Sequence, residues 1–285
     1  MSNNEKVIKT VAKTSKIEAS KKRTFVGACA GMFMGLYKKA CSVLFPANIK
    51  CIICGDDLKD VQSIEICDKC KCKLNQIAEN QACACCGAPV VGEAKLCLNC
   101  KSEPRDFDIS RSVFVYEDEI AKLIAGLKFN NKPYISRTLG RYLANLYKEL
   151  GWEVDLIVPV PMTEARKKWR GYNQAELLAQ EVSDAINIDI NTETLVKIKE
   201  TDEQKELSLN ERRKNLRQAF KVIDKYPIKG KRILLIDDVM TTGSTADACA
   251  MALKKAHASR VFVLTIAHGQ MQLALQSGIN NDNSK

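Results

Sequence analysis

The sequence of 285 residues contains no apolar segment long enough to cross a membrane. The mildly apolar stretch Phe25–Tyr37 is interrupted by three glycines and falls short of the ~20 residues that a bilayer requires. Small residues around Ala28 imitate a signal-peptide cleavage site, but the charged region before them is unusually long for a signal peptide. We therefore expect a basic tail that leads into a short amphipathic helix ending near Phe45–Pro46, and no transmembrane segment.

Histidine is rare, and aromatic residues are missing from one part of the chain. The only two histidines, His257 and His268, lie where the pattern predicts the end of a helix and the end of a strand. Neither is expected to act as a general acid or base. From Cys51 to Cys100 there is no Phe, Tyr or Trp, so this segment offers no ring on which a nucleobase could stack.

Positive charge is concentrated near the N-terminus. Residues 1–50 contain ten Lys and Arg and two acidic residues, which accounts for +8 of the formal net charge of +10. The rest of the chain is close to neutral, so the overall charge is a weak indication of nucleic-acid binding. A content of 46% apolar and 27% charged residues is typical of a soluble globular protein.

Thirteen cysteines are present, and eight of them form four C-x-x-C pairs within 50 residues. Such pairs are good bidentate thiolate ligands for zinc and poor structural disulfides. Free thiols imply a reducing compartment, so we expect a cytoplasmic location. The other five cysteines (Cys29, Cys41, Cys72, Cys85 and Cys249) are expected to be small packing or surface residues. The predicted metal ligands are Cys51, Cys54, Cys67, Cys70, Cys83, Cys86, Cys97 and Cys100.

The four pairs form an internal repeat. The sequence C-I-I-C-G followed by C-D-K-C resembles C-A-C-C-G followed by C-L-N-C, with spacers of twelve and ten residues. The glycine can adopt a positive φ and turn backbone N–H groups toward the sulfurs. Four sulfurs close a tetrahedral shell, so the repeat predicts one or two structural zinc ions that stabilise the segment without catalysing a reaction. Whether this module also docks nucleic acid or protein stays open.

Composition divides the chain into a basic tail with a short helix (1–47), a double zinc ribbon (48–104) and an α/β region (105–285). Alternating strand and helix patterns in the last region predict a mostly parallel sheet flanked by helices. The predicted helices are Glu117–Phe129, Ile135–Leu150, Asn173–Ile186 and Thr245–Ala256. The predicted strands are Ser112–Tyr116, Asp155–Val160, Thr194–Ile198, Ala219–Ile223, Arg232–Ile236 and Val261–Ile266.

A phosphate-binding strand, loop and helix are predicted within residues 231–249. An apolar strand delivers Asp237 and Asp238 at its carboxyl end, where open α/β sheets bind ligands. Backbone N–H groups and hydroxyls of the next loop can hold a phosphate dianion where the helix begins. The two carboxylates cannot bind that phosphate, so we assign them to ribose hydroxyls or to Mg²⁺. The predicted loop consists of Met240, Thr241, Thr242, Gly243, Ser244 and Thr245.

This segment resembles the phosphoribosyl pyrophosphate (PRPP) motif of type I phosphoribosyltransferases, and the chain from Cys51 onward resembles the ComF family. The resemblance implies the type I phosphoribosyltransferase fold. It also implies that the acid pair holds the ribose hydroxyls, with Mg²⁺ bound alongside PRPP, and that the loop binds the 5-phosphate. The other matching stretches are Leu127–Phe129, Val158–Pro161, Arg170–Ala175, Thr201–Gln204, Arg212–Asn215 and Ala219–Phe220.

Two further elements are implied by the same resemblance. A pyrophosphate-binding loop matches Pro161, Arg166, Lys167, Lys168 and Arg170, whose cations suit a diphosphate leaving group. A mobile loop that closes over the site matches residues 200–215, with Thr201, Gln204, Arg212 and Arg213. One position departs from the purine-salvage enzymes of this fold, which carry an Asp where this chain has Thr241. The acceptor half of the site is therefore undefined.

The resemblance implies PRPP binding and a role on the cytoplasmic side in natural transformation or in the use of DNA as a nutrient. The acid pair and the two loops favour phosphoribosyl transfer to an unknown acceptor. The zinc module, the basic segment Arg212–Arg217 and the missing acceptor group favour an adaptor that handles single-stranded DNA with other competence proteins. The alternative is a phosphoribosyltransferase of nucleotide metabolism whose zinc module is purely structural.

Overall fold

The computed structural model describes residues 50–59, 64–90, 92–200 and 215–269. The basic tail, the helix predicted near Phe45 and the four predicted mobile-loop residues between Thr201 and Arg213 lie outside these ranges. Of the helices within the described ranges, none is both long and apolar enough to traverse a bilayer.

Six strands are described, four of which form a parallel sheet. These four are arranged in the spatial order β1-β6-β5-β2, and the other two strands, β3 and β4, form an antiparallel pair. The sheet is buried on both faces, as expected for parallel strands of apolar sequence. The strands are β1 (Ile109–Val115), β2 (Leu156–Pro159), β3 (Leu195–Lys197), β4 (Phe220–Val222), β5 (Arg232–Met240) and β6 (Arg260–His268).

Helices cover both faces of the parallel sheet. Alternate residues of β5 point to opposite faces, so that Leu234 and Ile236 pack against one helical layer while Ile233 and Leu235 pack against the other. The first layer contains α3, α4 and α6, and the second contains α7. The helices are α1 (Asp68–Lys71), α2 (Leu98–Ser102), α3 (Asp118–Phe129), α4 (Ile135–Leu150), α5 (Glu164–Arg170), α6 (Gln174–Ile186) and α7 (Ser244–Lys255).

Two elements near the predicted site differ from expectation. Strand β5 continues to Met240, four residues beyond its predicted end, because its pairing with β6 extends through Asp237 opposite Thr265 and Met240 opposite His268. The basic residues after β2, expected in a loop, lie on the short helix α5, whose N-cap Thr163 accepts a hydrogen bond from the Arg166 N–H. The acid pair is therefore held by a strand, and the cations by a helix.

The cysteine repeat is also a repeat of backbone structure. In each half the first pair forms a tight turn whose glycine has the positive φ that the sequence predicted, +80° at Gly55 and +72° at Gly87. In each half the second pair begins a short helix, with Cys67 at the N-cap position of α1 and Cys97 at the N-cap position of α2. The equivalent spacing of the two halves therefore reflects one folding unit used twice.

The two cysteine halves pack against different parts of the α/β region. Cys51, Ile66 and Cys70 belong to the core that contains α3 and α4, whereas Cys83 and Cys97 belong to the core that contains α7. Residues 75–77 between the halves pair with the outer edge of β1, where the Ile77 N–H donates to the Val113 carbonyl at 3.0 Å. This pairing protects an edge that would otherwise expose free backbone groups.

Candidate functional site

The acid pair lies at the carboxyl end of β5. The Asp238 side chain is buried and its Oδ2 is 2.8 Å from the Lys128 Nζ at the end of α3. The Asp238 N–H donates to Asp237 Oδ1 at 2.8 Å. Burial, and then the neighbouring Asp238 carboxylate, raises the pKa of Asp237 well above its ordinary value, while Lys128 opposes the increase. The pair therefore gains from a ligand that supplies hydroxyl donors or a divalent cation.

The loop between β5 and α7 forms a small concave surface beside Asp237. All six predicted loop residues line a cavity of about 40 Å³ together with Asp237 and Thr265. Gly243 has a φ of +80°, which lets the chain turn directly into α7. The Thr242 and Ser244 hydroxyls are 2.8 Å apart, so both point to the same side of the turn. This arrangement of hydroxyls at a helix N-terminus can bind a phosphate group.

A larger cavity of about 410 Å³ joins the acid pair to the basic helix α5. Asp237, Asp238, Thr241 and Thr245 line it from β5, the loop and α7, and three of the predicted pyrophosphate residues (Pro161, Arg166 and Arg170) line it from the chain after β2. Because β2 and β5 are parallel neighbours, their carboxyl ends bring these groups together.

Two of the predicted cations do not line this cavity. The Lys167 Nζ is 2.8 Å from Glu176 Oε1 on α6, so its positive charge is paired with that carboxylate. Lys168 is exposed on α5 and is also absent from the residues that line the cavity. The positive side of the described cavity is therefore formed by Arg166 and Arg170, together with Lys128 and Lys197.

Several residues of the site carried no functional signal in the sequence. In the sequence, Lys128 was notable only as part of a stretch that resembles the ComF family, yet its Nζ forms the ion pair with Asp238. The Arg170 Cζ lies 5.4 Å from the centre of the Phe129 ring, and Phe129, 61% exposed, lines the cavity. Asn173 caps α6 and donates to the Val160 carbonyl at 3.0 Å, which fixes the chain between β2 and α6. Tyr116, Phe220 and Lys197 also line the cavity.

The eight predicted metal ligands form two groups of four. Within each group the sulfur atoms all lie within 4.8 Å of one another. The Cys54–Cys67 and Cys86–Cys97 sulfur pairs are 3.7 and 3.6 Å apart, close to the ~3.8 Å expected between thiolates around one tetrahedral zinc ion. The Cys97 N–H donates to the Cys83 sulfur at 3.3 Å, which suits a charged thiolate. Both groups therefore fit a metal with four sulfur ligands.

The cysteines outside the groups match their predicted roles where the structure describes them. Cys249 is buried on α7, Cys72 is exposed and Cys85 is half-buried beside the second group. None of the eleven described cysteines forms a disulfide. The two histidines are also placed as predicted, with His268 at the end of β6 and His257 just after α7.

Comparison with known proteins gives a consistent picture. Residues 127–275 match the family described as "Phosphoribosyl transferase domain". The chain is 33% identical over 226 residues to Competence protein F of Haemophilus influenzae, covering 77% of this chain and 97% of that protein. It is 30% identical over 197 residues to DNA utilization protein YhgH of Escherichia coli K12, covering 67% and 86%. It is 27% identical over 213 residues to Competence protein ComFC of Bacillus subtilis, covering 71% and 83%.

Proposed function

The chain belongs to the ComF family, whose members have a phosphoribosyltransferase domain, and from this premise we propose that it binds PRPP with Mg²⁺ and handles single-stranded DNA on the cytoplasmic side. One observation carries the proposal: a single cavity contains the acid pair, part of the phosphate loop, and the guanidinium groups of Arg166 and Arg170. The competence and DNA-utilisation names of the relatives support the biological role.

Each part of PRPP has a chemically matched partner in this cavity. The 5-phosphate fits the N–H and hydroxyl donors of residues 241–245, and the ribose hydroxyls fit the carboxylate acceptors of Asp237 and Asp238. The diphosphate fits Arg166 and Arg170, since guanidinium groups bind phosphate oxygens with two parallel hydrogen bonds. When bound, Mg²⁺ would be held by the carboxylates and phosphate oxygens and would neutralise part of their charge.

We further propose that the site transfers the phosphoribosyl group. In that reaction the bond between ribose C1 and the diphosphate oxygen breaks, and the electron pair leaves with the diphosphate. A nucleophilic atom of the acceptor supplies the electron pair for the new bond to C1 and releases its proton to solvent. Arg166 and Arg170 would stabilise the negative charge that develops on this leaving group. The cavity is also lined by Tyr116, Phe129, Phe220 and Lys197, which we assign to the acceptor. Three rings and one cation favour a flat aromatic or polar acceptor.

Zinc is the metal we propose for both cysteine groups, because four thiolates in a tetrahedral arrangement are its usual structural site. With all four positions taken by sulfur, the metal would stabilise the fold and would not contact substrate. The groups would thus support the domain that binds PRPP, and a separate surface would contact DNA.

Exposed aromatic and basic side chains beside the cavity support a DNA-binding role. Trp169 on α5 is 74% exposed and lies between Lys168 and Arg170 in the sequence, and Phe129 is exposed beneath the Arg170 guanidinium. Unpaired bases stack on such rings while nearby cations contact the phosphates. The cysteine halves contribute exposed Lys69, Lys71 and Lys73 but no aromatic ring. We therefore propose that α5 and the end of α3 carry the base contacts.

The test combines calorimetry with a reaction screen. PRPP binding is measured with and without Mg²⁺, and release of pyrophosphate is then measured with nucleobases, amines and single-stranded DNA. Mg²⁺-dependent binding is the expected result, and its absence would reject the PRPP site. Pyrophosphate release with a free nucleobase, in a protein that does not bind DNA, would support the alternative of an enzyme of nucleotide metabolism.

A further inference from the structure

The helix that follows the phosphate loop is anchored to the chain that leaves the second cysteine half. Asp247 lies in the first turn of α7, and both of its carboxylate oxygens accept hydrogen bonds from the chain just after α2. The Arg105 Nη1 donates to Oδ2 at 2.9 Å, and the Asp106 N–H donates to Oδ1 at 2.9 Å. The Arg105 side chain is 6% exposed, so this ion pair is shielded from solvent. The beginning of α7 is therefore fixed by residues 105–106.

The same segment supports the back of the phosphate loop. A Cβ atom placed on Gly243 would lie 3.6 Å from the Arg105 Nη1 and 3.7 Å from the Phe107 Cε1. Phe107 is buried in the core that contains α7. Because the loop rests against these two side chains, a displacement of either would change the position of the N–H groups offered to a phosphate.

Arg105 is also close in the chain to the second metal group. Cys97 is the N-cap residue of α2 and Cys100 lies within this helix, and Arg105 follows its last residue, Ser102, by three positions. Burial opposes the charge of Arg105, yet its hydrogen bond with Asp247 raises the pKa of the guanidinium above its ordinary value. Arg105 thus connects the helix that carries two predicted zinc ligands to the helix that follows the phosphate loop.

The second cysteine group is also fixed firmly to the sheet. Arg111 of β1 is buried and donates to Glu79 Oε1 at 2.6 Å and to the carbonyls of Cys83 and Ala84 at 3.4 and 3.3 Å. The Ser110 N–H donates to the Cys85 carbonyl at 2.8 Å. The second cysteine group is therefore held against β1, and the chain that leaves it continues through Arg105 to the phosphate loop.

The first cysteine group has different contacts. It packs against α4, where the Glu65 N–H donates to Thr138 Oγ1 at 3.4 Å and the Arg137 Nη1 is 3.6 Å from Glu65 Oε1. These contacts join the first group to α4, and neither of them includes a residue of the phosphate loop. The two groups therefore provide an internal comparison within one protein.

We propose that Arg105 couples the second cysteine group to the phosphate loop, so that zinc bound to the group and PRPP bound to the loop strengthen each other. The inference rests on the proposed binding of PRPP. Coupling of two binding equilibria is reciprocal: if zinc improves PRPP affinity by some factor, PRPP improves zinc retention by the same factor. Arg105 acts here as a positioning residue and does not contact the substrate.

The first experiment uses the zinc-loaded full-length protein and a colorimetric zinc chelator. Release of the two ions is followed with and without saturating Mg²⁺–PRPP. We expect PRPP to improve the retention of one ion by roughly 5- to 150-fold, the usual range for coupled sites, and to leave the other unchanged. If calorimetry shows PRPP binding but neither ion is retained better, the coupling is refuted. If PRPP does not bind at all, the proposed function is the part that fails.

The second experiment assigns the coupling to Arg105. Arg105→Met should lower PRPP affinity about tenfold and should abolish the effect of PRPP on zinc retention. Asp247→Asn, which keeps the shape but loses the charge, should act in the same direction. Arg137→Met is the matched control, because it removes the equivalent cation beside the first group and should leave both quantities unchanged. Wild-type PRPP affinity in a folded, zinc-loaded Arg105→Met protein would overturn the assignment.

Discussion

Lys128 Nζ lies 2.8 Å from Asp238 Oδ2, and the two side chains are only 25% and 4% exposed. The lysine therefore compensates a carboxylate that the sheet has removed from water. It also lowers the pKa of the neighbouring Asp237, which burial and Asp238 raise. A residue at the end of α3 thus opposes the rise in the pKa of Asp237, which β5 supplies.

The first prediction concerns the acid pair. Asp237→Asn should weaken PRPP binding by at least about tenfold, since a hydrogen bond to a charged acceptor contributes roughly 1.5–3 kcal/mol. The double variant Asp237→Asn with Asp238→Asn should abolish binding. Calorimetry measures both, and circular dichroism checks the fold. Asp184→Asn, at an exposed acid on α6, is the control. Unchanged affinity in the double variant would mean that the carboxylates are structural.

The second prediction concerns pH. Binding of Mg²⁺ and ribose hydroxyls needs ionised Asp237, so PRPP affinity should rise with pH through the pKa of this group and level off above it. Lys128→Met removes the cation that opposes the raised pKa. The midpoint of the rise should therefore move to higher pH in this variant.

Calorimetry between about pH 5.5 and 9 measures this shift. The wild-type protein is measured over the same range, so that the titration of PRPP itself contributes equally to both curves. Lys128→Arg keeps the charge and should stay close to wild type. A midpoint that is unchanged in Lys128→Met, or that moves to lower pH, would contradict the role of Lys128.

The third prediction concerns metal content. The two groups of four sulfurs should hold two zinc ions per chain. Metal analysis of the purified protein, combined with thiol titration after chelation, measures this directly. A protein without metal whose thiols form disulfides would reject the prediction, and a single ion would show that one half of the repeat has another role.

The fourth prediction concerns DNA. Binding to single-stranded DNA should be salt-sensitive, with affinity falling about 10³-fold between 50 and 200 mM salt if six phosphates are contacted. Trp169→Leu and Phe129→Leu should each weaken it, because each removes a ring on which a base stacks. Tyr226→Leu is the control, since Tyr226 is 82% exposed but lies on neither α5 nor α3. Fluorescence anisotropy with a labelled oligonucleotide reports the changes.

A truncated chain that begins at residue 45 extends the same measurement to the basic tail. The family resemblance begins after the tail, so this chain should retain much of the DNA binding. Loss of all affinity would place the contact in the tail and would exclude the surface around α5. Deletion of residues 48–104 is a poor complement, because Cys51, Ile66 and Cys97 are buried in the two cores and their removal would expose apolar surface.

Features that depend on residues close in sequence were predictable. The turn predicted to bind phosphate is formed by adjacent parts of the chain: the apolar run of β5, the small residues of the loop and the start of α7. The spacing of apolar residues and the local composition were therefore enough to predict it. The cysteine groups were predictable for the same reason, because the C-x-x-C spacing itself places two sulfurs on one side of a turn. The ends of α5 could also be predicted, because Thr163 is a favourable N-cap residue and Gly171 a favourable C-cap residue. The seven residues between them are too few to show a clear helical spacing of apolar residues.

Only the tertiary structure decided what surrounds these local units. Lys128 and Asp238 are 110 positions apart, and Arg105 and Asp247 are 142 positions apart. A lysine at a helix end or an arginine after a cysteine pair has no special pattern in the sequence, since most such cations are solvated. In the folded protein Lys128 and Arg105 are each paired with one specific carboxylate. A charge that is removed from water needs a counterion beside it, and only the packing of the sheet and helices determines which carboxylate lies there.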